Sequence, residues 1–185
     1  MSNDKIVLYS GAIGEKQGLQ TLLLSADALR FRSDIKFIIC GSGPYKDKLI
    51  YMAKDLELNN VIFLPLQPEE TFNQFLNIAH VHLILQKSSA NDLMLPSKLA
   101  TILSVGGLSL VTAEPESTLH SLITANNIGI LLEPDNPSAL SSAILEIIDK
   151  PNFEIKSNAR KYAELNLSLD SVVSSFFDQL SINRS

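Results

Sequence analysis

Cysteine occurs only once in the 185 residues, at Cys40, so an internal disulfide is excluded. Its setting in Phe37-Ile38-Ile39-Cys40 reads as a buried strand, which gives the thiol no chemical role. Charge is scarce too: 15 Lys and Arg against 20 Asp and Glu leave a net charge of -5, with bases set among acids as in Lys46-Asp47-Lys48. That excludes the concentrated basic face on which binding to long nucleic acids depends. His80, His82 and His120 have no Cys or His at ligand spacing, so no metal site is expected. No apolar run approaches the roughly 18 residues of a membrane span. The start, Met1-Ser2-Asn3-Asp4-Lys5, has no basic region leading into an apolar one. A cytoplasmic location is the expectation. No G-x-S-x-G elbow and no G-x-x-x-x-G-K-[ST] loop occurs, which removes the commonest serine-hydrolase and P-loop chemistries.

What is present is apolar residues at 45% of a chain long enough for one core. Short β-rich runs predict strands over residues 5–10, 35–40, 61–64, 82–85, 108–112 and 128–132. Helical spacing between them predicts helices over 21–29, 45–58, 68–79, 96–105, 115–126 and 138–150. Strands that are apolar on both faces and alternate with helices argue for an α/β domain, with a parallel sheet covered on both sides. Ligands of such sheets sit at the carboxyl ends of the strands. The pattern then changes: 153–167 and 168–182 read as two C-terminal helices with no strand between them. In the second, Leu169, Val172, Val173, Phe176, Phe177 and Leu180 form an apolar stripe, expected to pack on the domain or to meet a surface supplied from elsewhere.

Two segments have the chemistry of phosphate binding. The loop Ser10-Gly11-Ala12-Ile13-Gly14-Glu15-Lys16-Gln17-Gly18 follows the first strand; its glycines let a ligand approach the backbone, and Lys16 offers a charge. It is either a phosphate cradle or an ordinary glycine turn beside a solvated lysine. The segment Pro96-Ser97-Lys98-Leu99-Ala100-Thr101 opens the helix after strand four. There the proline tolerates the missing amide, and the amides of Ser97, Lys98 and Leu99 point out of the helix start. It is either an anion site or a solvated cap. Gly41-Ser42-Gly43-Pro44-Tyr45-Lys46 matches a dinucleotide fingerprint poorly, because Lys46 stands in place of the third glycine.

The ordered set Val7-Leu8-Tyr9-Ser10-Gly11, Phe37 through Pro44, Val61-Ile62-Phe63-Leu64-Pro65 and Ile128-Gly129-Ile130-Leu131-Leu132-Glu133-Pro134-Asp135 resembles the C-terminal domains of family 4 retaining glycosyltransferases of the GT-B type. Gly14-Glu15-Lys16-Gln17-Gly18-Leu19 and Leu95-Pro96-Ser97-Lys98-Leu99 look most like the colanic-acid-biosynthesis group of bacterial sugar transferases. The resemblance implies a Rossmann-like domain that binds a UDP- or GDP-linked sugar as substrate, without cofactor or metal. It implies diphosphate contacts at Gly11, Gly14, Lys16, Pro96, Ser97, Lys98 and Leu99, and a base resting on Pro65-Leu66-Gln67. A ribose contact would fall at Thr101. Two family glutamates would fall near Leu93 and at Thr101, and a first-loop arginine at Ala12; none of the three is present.

The family places an acceptor-binding α/β domain before this one, and nothing ahead of Lys5 is expected to encode it. The expected function is therefore the donor-binding half of a hexosyltransferase in polysaccharide or glycolipid assembly, inactive alone. A separate acceptor-domain chain is the expected partner, through which peripheral membrane contact would come. The alternatives are a non-catalytic regulatory or assembly module, and part of a sugar-nucleotide epimerase.

Overall fold

The computed structural model describes residues 4–88, 97–171 and 173. Six strands, β1 (Lys5–Ser10), β2 (Ile35–Cys40), β3 (Val61–Leu64), β4 (Val81–Ile84), β5 (Ser109–Thr112) and β6 (Ile130–Leu132), pair in parallel in the order β3-β2-β1-β4-β5-β6. The register is continuous across the centre, with Val7 opposite both Phe37 and Val81. Between them run α1 (Gln20–Ala28), α2 (Lys46–Asp55), α3 (Glu69–Asn77), α4 (Ser97–Ser104), α5 (Thr118–Asn126), α6 (Pro137–Ile147) and α7 (Phe153–Asn166).

The alternation of side chains along each strand divides the core in two. Val7, Tyr9, Phe37, Ile39, Leu83 and Leu110 face Leu22, Leu49, Leu140 and Ile144 of α1, α2 and α6. Leu8, Ile38 and Cys40 face α3 through Leu76, while Ile84 and Val111 face α4, α5 and α7 through Leu99, Ile102, Ile123 and Ala159. The helix after β1 thus lies on one face and the helix after β4 on the other. The chain ends of these adjacent strands part there, which leaves a crevice at their carboxyl ends.

Several boundaries differ from the sequence reading. Helix α5 starts three residues later than predicted, because Glu116 adopts a left-handed backbone (φ 68°) and Ser117 accepts the His120 amide as the cap at 3.1 Å. Strand β4 spans Val81–Ile84, and β6 is only three residues long. Asn136 caps α6, accepting the Ala139 amide at 2.9 Å, and α6 begins at Pro137, one residue before the predicted start. Asp135 instead accepts the Ser88 amide and hydroxyl, both at 3.0 Å, and so ties the loop after β6 to the end of β4. Most of the apolar stripe predicted over 168–182 lies outside the described residues; of it, Leu169 and Val173 are described and stand exposed.

The glycines of the segment after β2 have a packing role. A Cβ on Gly41 would lie 1.9 Å from the Gly11 carbonyl oxygen, and one on Gly43 2.2 Å from that of Ile13. The loop after β1 lies directly on this segment, with the Gly11 amide donating to Cys40 O at 3.0 Å and Ile13 to Ser42 O at 2.9 Å. Lys46 closes the same corner, its ammonium donating to Gly41 O and Leu64 O at 2.9 Å each.

His82 is buried within β4, with Nδ1 lacking a partner and Gly107 packed against its ring. Burial, helped by nearby Lys156, lowers its pKa to about 4.

Gly43→Ala should lower stability by about 1–3 kcal/mol in urea unfolding, since backbone must move to admit the methyl. A folded-state pKa below the unfolded value means that the unfolded chain binds the extra proton. Stability should therefore fall by about 3 kcal/mol between roughly pH 6.5 and 4, and unfolding of His82→Leu across that window should lose this component.

Candidate functional site

At the crevice between β1 and β4 lies a cavity of about 220 Å³ lined by Ser10, Gly11, Cys40, Leu66, Phe72, Leu76, Ser97, Lys98, Thr101 and Ile102. Of the residues singled out from sequence, the fold brings together Gly11, Leu66, Ser97, Lys98 and Thr101 here. They arrive from three parts of the fold, each for a local reason. Gly11 is the first residue beyond β1, and Leu66 follows β3, more than three-fifths exposed at 62% on the loop opposite α4. Ser97, Lys98 and Thr101 share one side of the first turn of α4, whose other side is anchored by Leu99 and Ile102 in the core. Leu99 is thus buried as a side chain, and only its backbone amide is available at the helix start.

Lys98 gives the site its electrostatic character. Its ammonium sits 4.0 Å from the centre of the Tyr9 ring, and its side chain passes 3.5 Å from where a Cβ on Gly11 would lie. A Cβ at position 11 would touch that lysine at ordinary contact distance, and it is the positive φ of 139° that favours glycine there. The ion pairs among the described residues leave Lys98 without a carboxylate. Burial holds its pKa down to about 8. The ring beneath it is itself fixed, because the Tyr9 hydroxyl donates to Ala12 O at 2.6 Å. A buried cation with an aromatic ring but no anion beside it is arranged to receive negative charge.

The other half of the first loop is arranged differently. Residues Glu15–Gln17 form a single 3₁₀ turn, and the Gly14 amide donates to the Gln17 side-chain oxygen at 3.0 Å. A phosphate approaching Gly14 must displace that carboxamide. Lys16 is exposed beyond the cavity, with its carbonyl accepting the Lys87 amide at 2.9 Å, and Lys87 pairs with Glu15 at 3.3 Å. Gly14 and Lys16 are not among the lining residues. Pro96 and the position near Leu93 lie outside the described residues.

Sequence reasoning missed Cys40, Phe72 and Leu76 as lining residues. Cys40 Sγ donates to Pro65 O at 3.1 Å and forms part of the cavity floor; burial pushes the thiol pKa up. Phe72 and Leu76 were legible only as the apolar side of a helix at i, i+4 spacing, which does not distinguish a core residue from a cavity wall. Lys46, noted only as a departure from a glycine motif, fastens the ends of β2 and β3 next to Leu66.

A family model described as glycosyl transferases group 1 matches residues 1–165. The chain belongs to that family. It is 40% identical over 179 residues to WcaI, a colanic acid biosynthesis glycosyl transferase of Escherichia coli K12, covering 96% of this chain and 43% of that protein. It therefore spans less than half the length of this group 1 relative. Among solved structures, HepE from Anabaena in complex with UDP superposes with a TM-score of 0.82 at 16% identity, covering 97% of this chain and 49% of that one. Sucrose-phosphate synthase from Thermosynechococcus elongatus gives 0.80 at 17% identity, over 99% of this chain and 47% of that one. At such identities the likeness is one of fold, and it establishes the Rossmann-like α/β architecture of the GT-B neighbours. No helix among the described residues is long and apolar enough to cross a membrane.

Because the folded pKa of Lys98 is lowered, the stability it contributes is present above the unfolded lysine value of about 10.4 and lost as pH falls through about 8. At pH 7 the charged lysine is a cost. Lys98→Met should raise the urea midpoint there by the equivalent of about 1–3 kcal/mol, and this gain should shrink as pH rises from about 8 towards 10.

Proposed function

We propose that this chain is the nucleotide-sugar donor-binding half of a retaining glycosyltransferase that acts in polysaccharide or glycolipid assembly. The observation that carries the reading is Lys98: a largely buried, carboxylate-free ammonium at the start of α4, against Gly11, at the sheet's switch point. A diphosphate there meets the ammonium and the outward amides of Ser97, Lys98 and Leu99, and the positive end of α4 adds to the attraction. Leu66 offers an apolar face for the base, and the Thr101 hydroxyl one turn further along α4 offers a hydrogen bond to the ribose. Pro96 would set the helix start, while Gly14 and Lys16 reach the outer phosphate once Gln17 gives way. HepE, of like fold, is seen with UDP and with UDP-glucose, which supports a nucleotide-sugar donor of that class.

In the transfer step the bond from the anomeric carbon to the diphosphate breaks, and negative charge grows on the departing phosphate. Lys98 and the helix amides stabilise that charge without having to reorganise. Positioning an acceptor and excluding water require a second surface facing the cavity. The acceptor-binding half, in a longer protein or a separate chain, supplies it in this proposal, so this chain alone transfers no sugar.

Thermal unfolding with UDP, GDP or ADP tests the reading. The correct nucleotide, at about 100 times its dissociation constant, should stabilise the chain by about 2.7 kcal/mol. Lys98→Met should abolish the effect, and above pH 8 the affinity should weaken by up to about tenfold per pH unit as the free ammonium loses its proton. Absence of stabilisation by every nucleotide at millimolar concentration would sink the proposal and leave a non-catalytic module of the same fold, a reading to which Ala12 and Thr101 already lend weight.

A further inference from the structure

Beyond the donor cavity, the groove between α3 and α4 widens into a trough of about 480 Å³. One wall is a single face of α3, with Glu69, Phe72, Asn73, Leu76 and Asn77 at helical spacing; the other is Thr101 and Ser104 of α4 with Val105 just beyond its end. Arg160 of α7 closes the far end. Phe72, Leu76 and Thr101 also line the donor cavity, so the two spaces meet along a shared wall.

We propose that this trough is a saccharide-binding subsite, separate from the nucleotide contacts and contiguous with them. Its volume lies in the range of small-molecule sites, about 300–1,000 Å³. The lining mixes donors with acceptors: two carboxamides, two hydroxyls, one carboxylate and one guanidinium. Arg160 is already paired with Glu164, and Glu69 adds a carboxylate, which disfavours a phosphate or a polyanion and leaves groups suited to a neutral polyol. Half-buried Phe72 with Leu76 and Val105 forms an apolar floor for the C–H face of a pyranose.

The polar groups are also held in place. Asn77 Nδ2 donates to the Asn73 carbonyl at 2.8 Å and to its side-chain oxygen at 3.3 Å, which directs the Asn73 amide nitrogen and the Asn77 amide oxygen away from each other. The Ser104 hydroxyl donates to Thr101 O at 2.7 Å, so its lone pairs remain to accept. Arg160 is braced by Glu164 at 2.7 Å and by the Ser104 carbonyl, which fixes the guanidinium at the trough's end. These are preorganised contacts for ring hydroxyls, and a sugar chain lying there would run up to the donor cavity.

The test uses the full chain, labelled with ¹⁵N, titrated separately with maltose, cellobiose, lactose and UDP. At least one disaccharide should give saturable amide shifts centred on Asn73, Asn77, Ser104 and Arg160. In the double variant Asn73→Ala, Ser104→Ala that affinity should fall about tenfold, as expected for the loss of two hydrogen bonds. Both alanines occupy exposed helical positions and favour the helix, so the fold is kept. UDP should shift Gly11 and Lys98, and do so equally in the variant. The subsite is overturned if no disaccharide gives saturable shifts at these positions, if the variant binds as well as the parent, or if UDP moves Asn73, Asn77 and Arg160, which line the trough and not the donor cavity, as strongly as sugar does. Failure of UDP at Gly11 and Lys98, with sugar binding intact, would instead overturn the donor reading alone.

Discussion

Everything at the functional end of this domain depends on one close backbone contact. The loop leaving β1 lies across the segment leaving β2, near enough that neither Gly41 nor Gly43 has room for a Cβ. The contact is sealed by hydrogen bonds from Gly11 and Ile13, and by the Tyr45 amide donating back to Ile13 O at 3.1 Å. Ile13, fully buried, anchors the loop from below. With the loop drawn over β2, Gly11 is brought opposite the start of α4, and the space between them becomes the cavity. Lys46 extends the same arrangement to β3 by holding the carbonyls of Gly41 and Leu64 together, which sets the position of Leu66 on the far wall.

Within that frame the electrostatics follow from a single buried cation. Lys98 comes from a helix anchored in the core by Leu99 and Leu103, and its ammonium lies over the Tyr9 ring. The Tyr9 hydroxyl is engaged by Ala12 O, so among the described residues the lysine meets an aromatic face and no carboxylate. Its lowered pKa and its cost to the free chain have the same cause, since desolvation penalises the charged form until an anion arrives. Stability is given up at this site, and in the proposed function diphosphate binding recovers it, as is common for functional groups. His82 shows the contrasting case: a buried titratable group packed against Gly107 in the middle of a strand, with consequences for acid stability and no opening towards a ligand.

The fold was readable to a large degree. All six strands, the parallel sheet and the two-sided helical cover follow from apolar runs alternating with helical periods, because a strand buried on both faces has few other sequence patterns. The errors fell at ends, where one side chain decides: Ser117 rather than Pro115 opens α5. The site was readable in part. Glycines and helix starts pointed to Gly11, Ser97 and Lys98, and the family resemblance to Leu66 and Thr101, all of which line the cavity. The segment Gly41-Ser42-Gly43 was read from sequence only as a poor match to a dinucleotide fingerprint, and its service to the neighbouring loop depends on a contact with residues some thirty positions away.

Sequence alone therefore determined the secondary structure, the parallel arrangement and the two segments rich in phosphate-binding chemistry, since these depend on local spacing, capping and backbone freedom. Only the tertiary structure decided that Lys98 is buried against Tyr9 while Lys16 stands in solvent, that Gln17 occupies the Gly14 amide, and that Phe72 and Leu76 serve two adjoining cavities. Those outcomes depend on which helix covers which face of the sheet, and on how much water each side chain loses when it does. Desolvation is a property of neighbours distant in the chain, and no local pattern of residues encodes it.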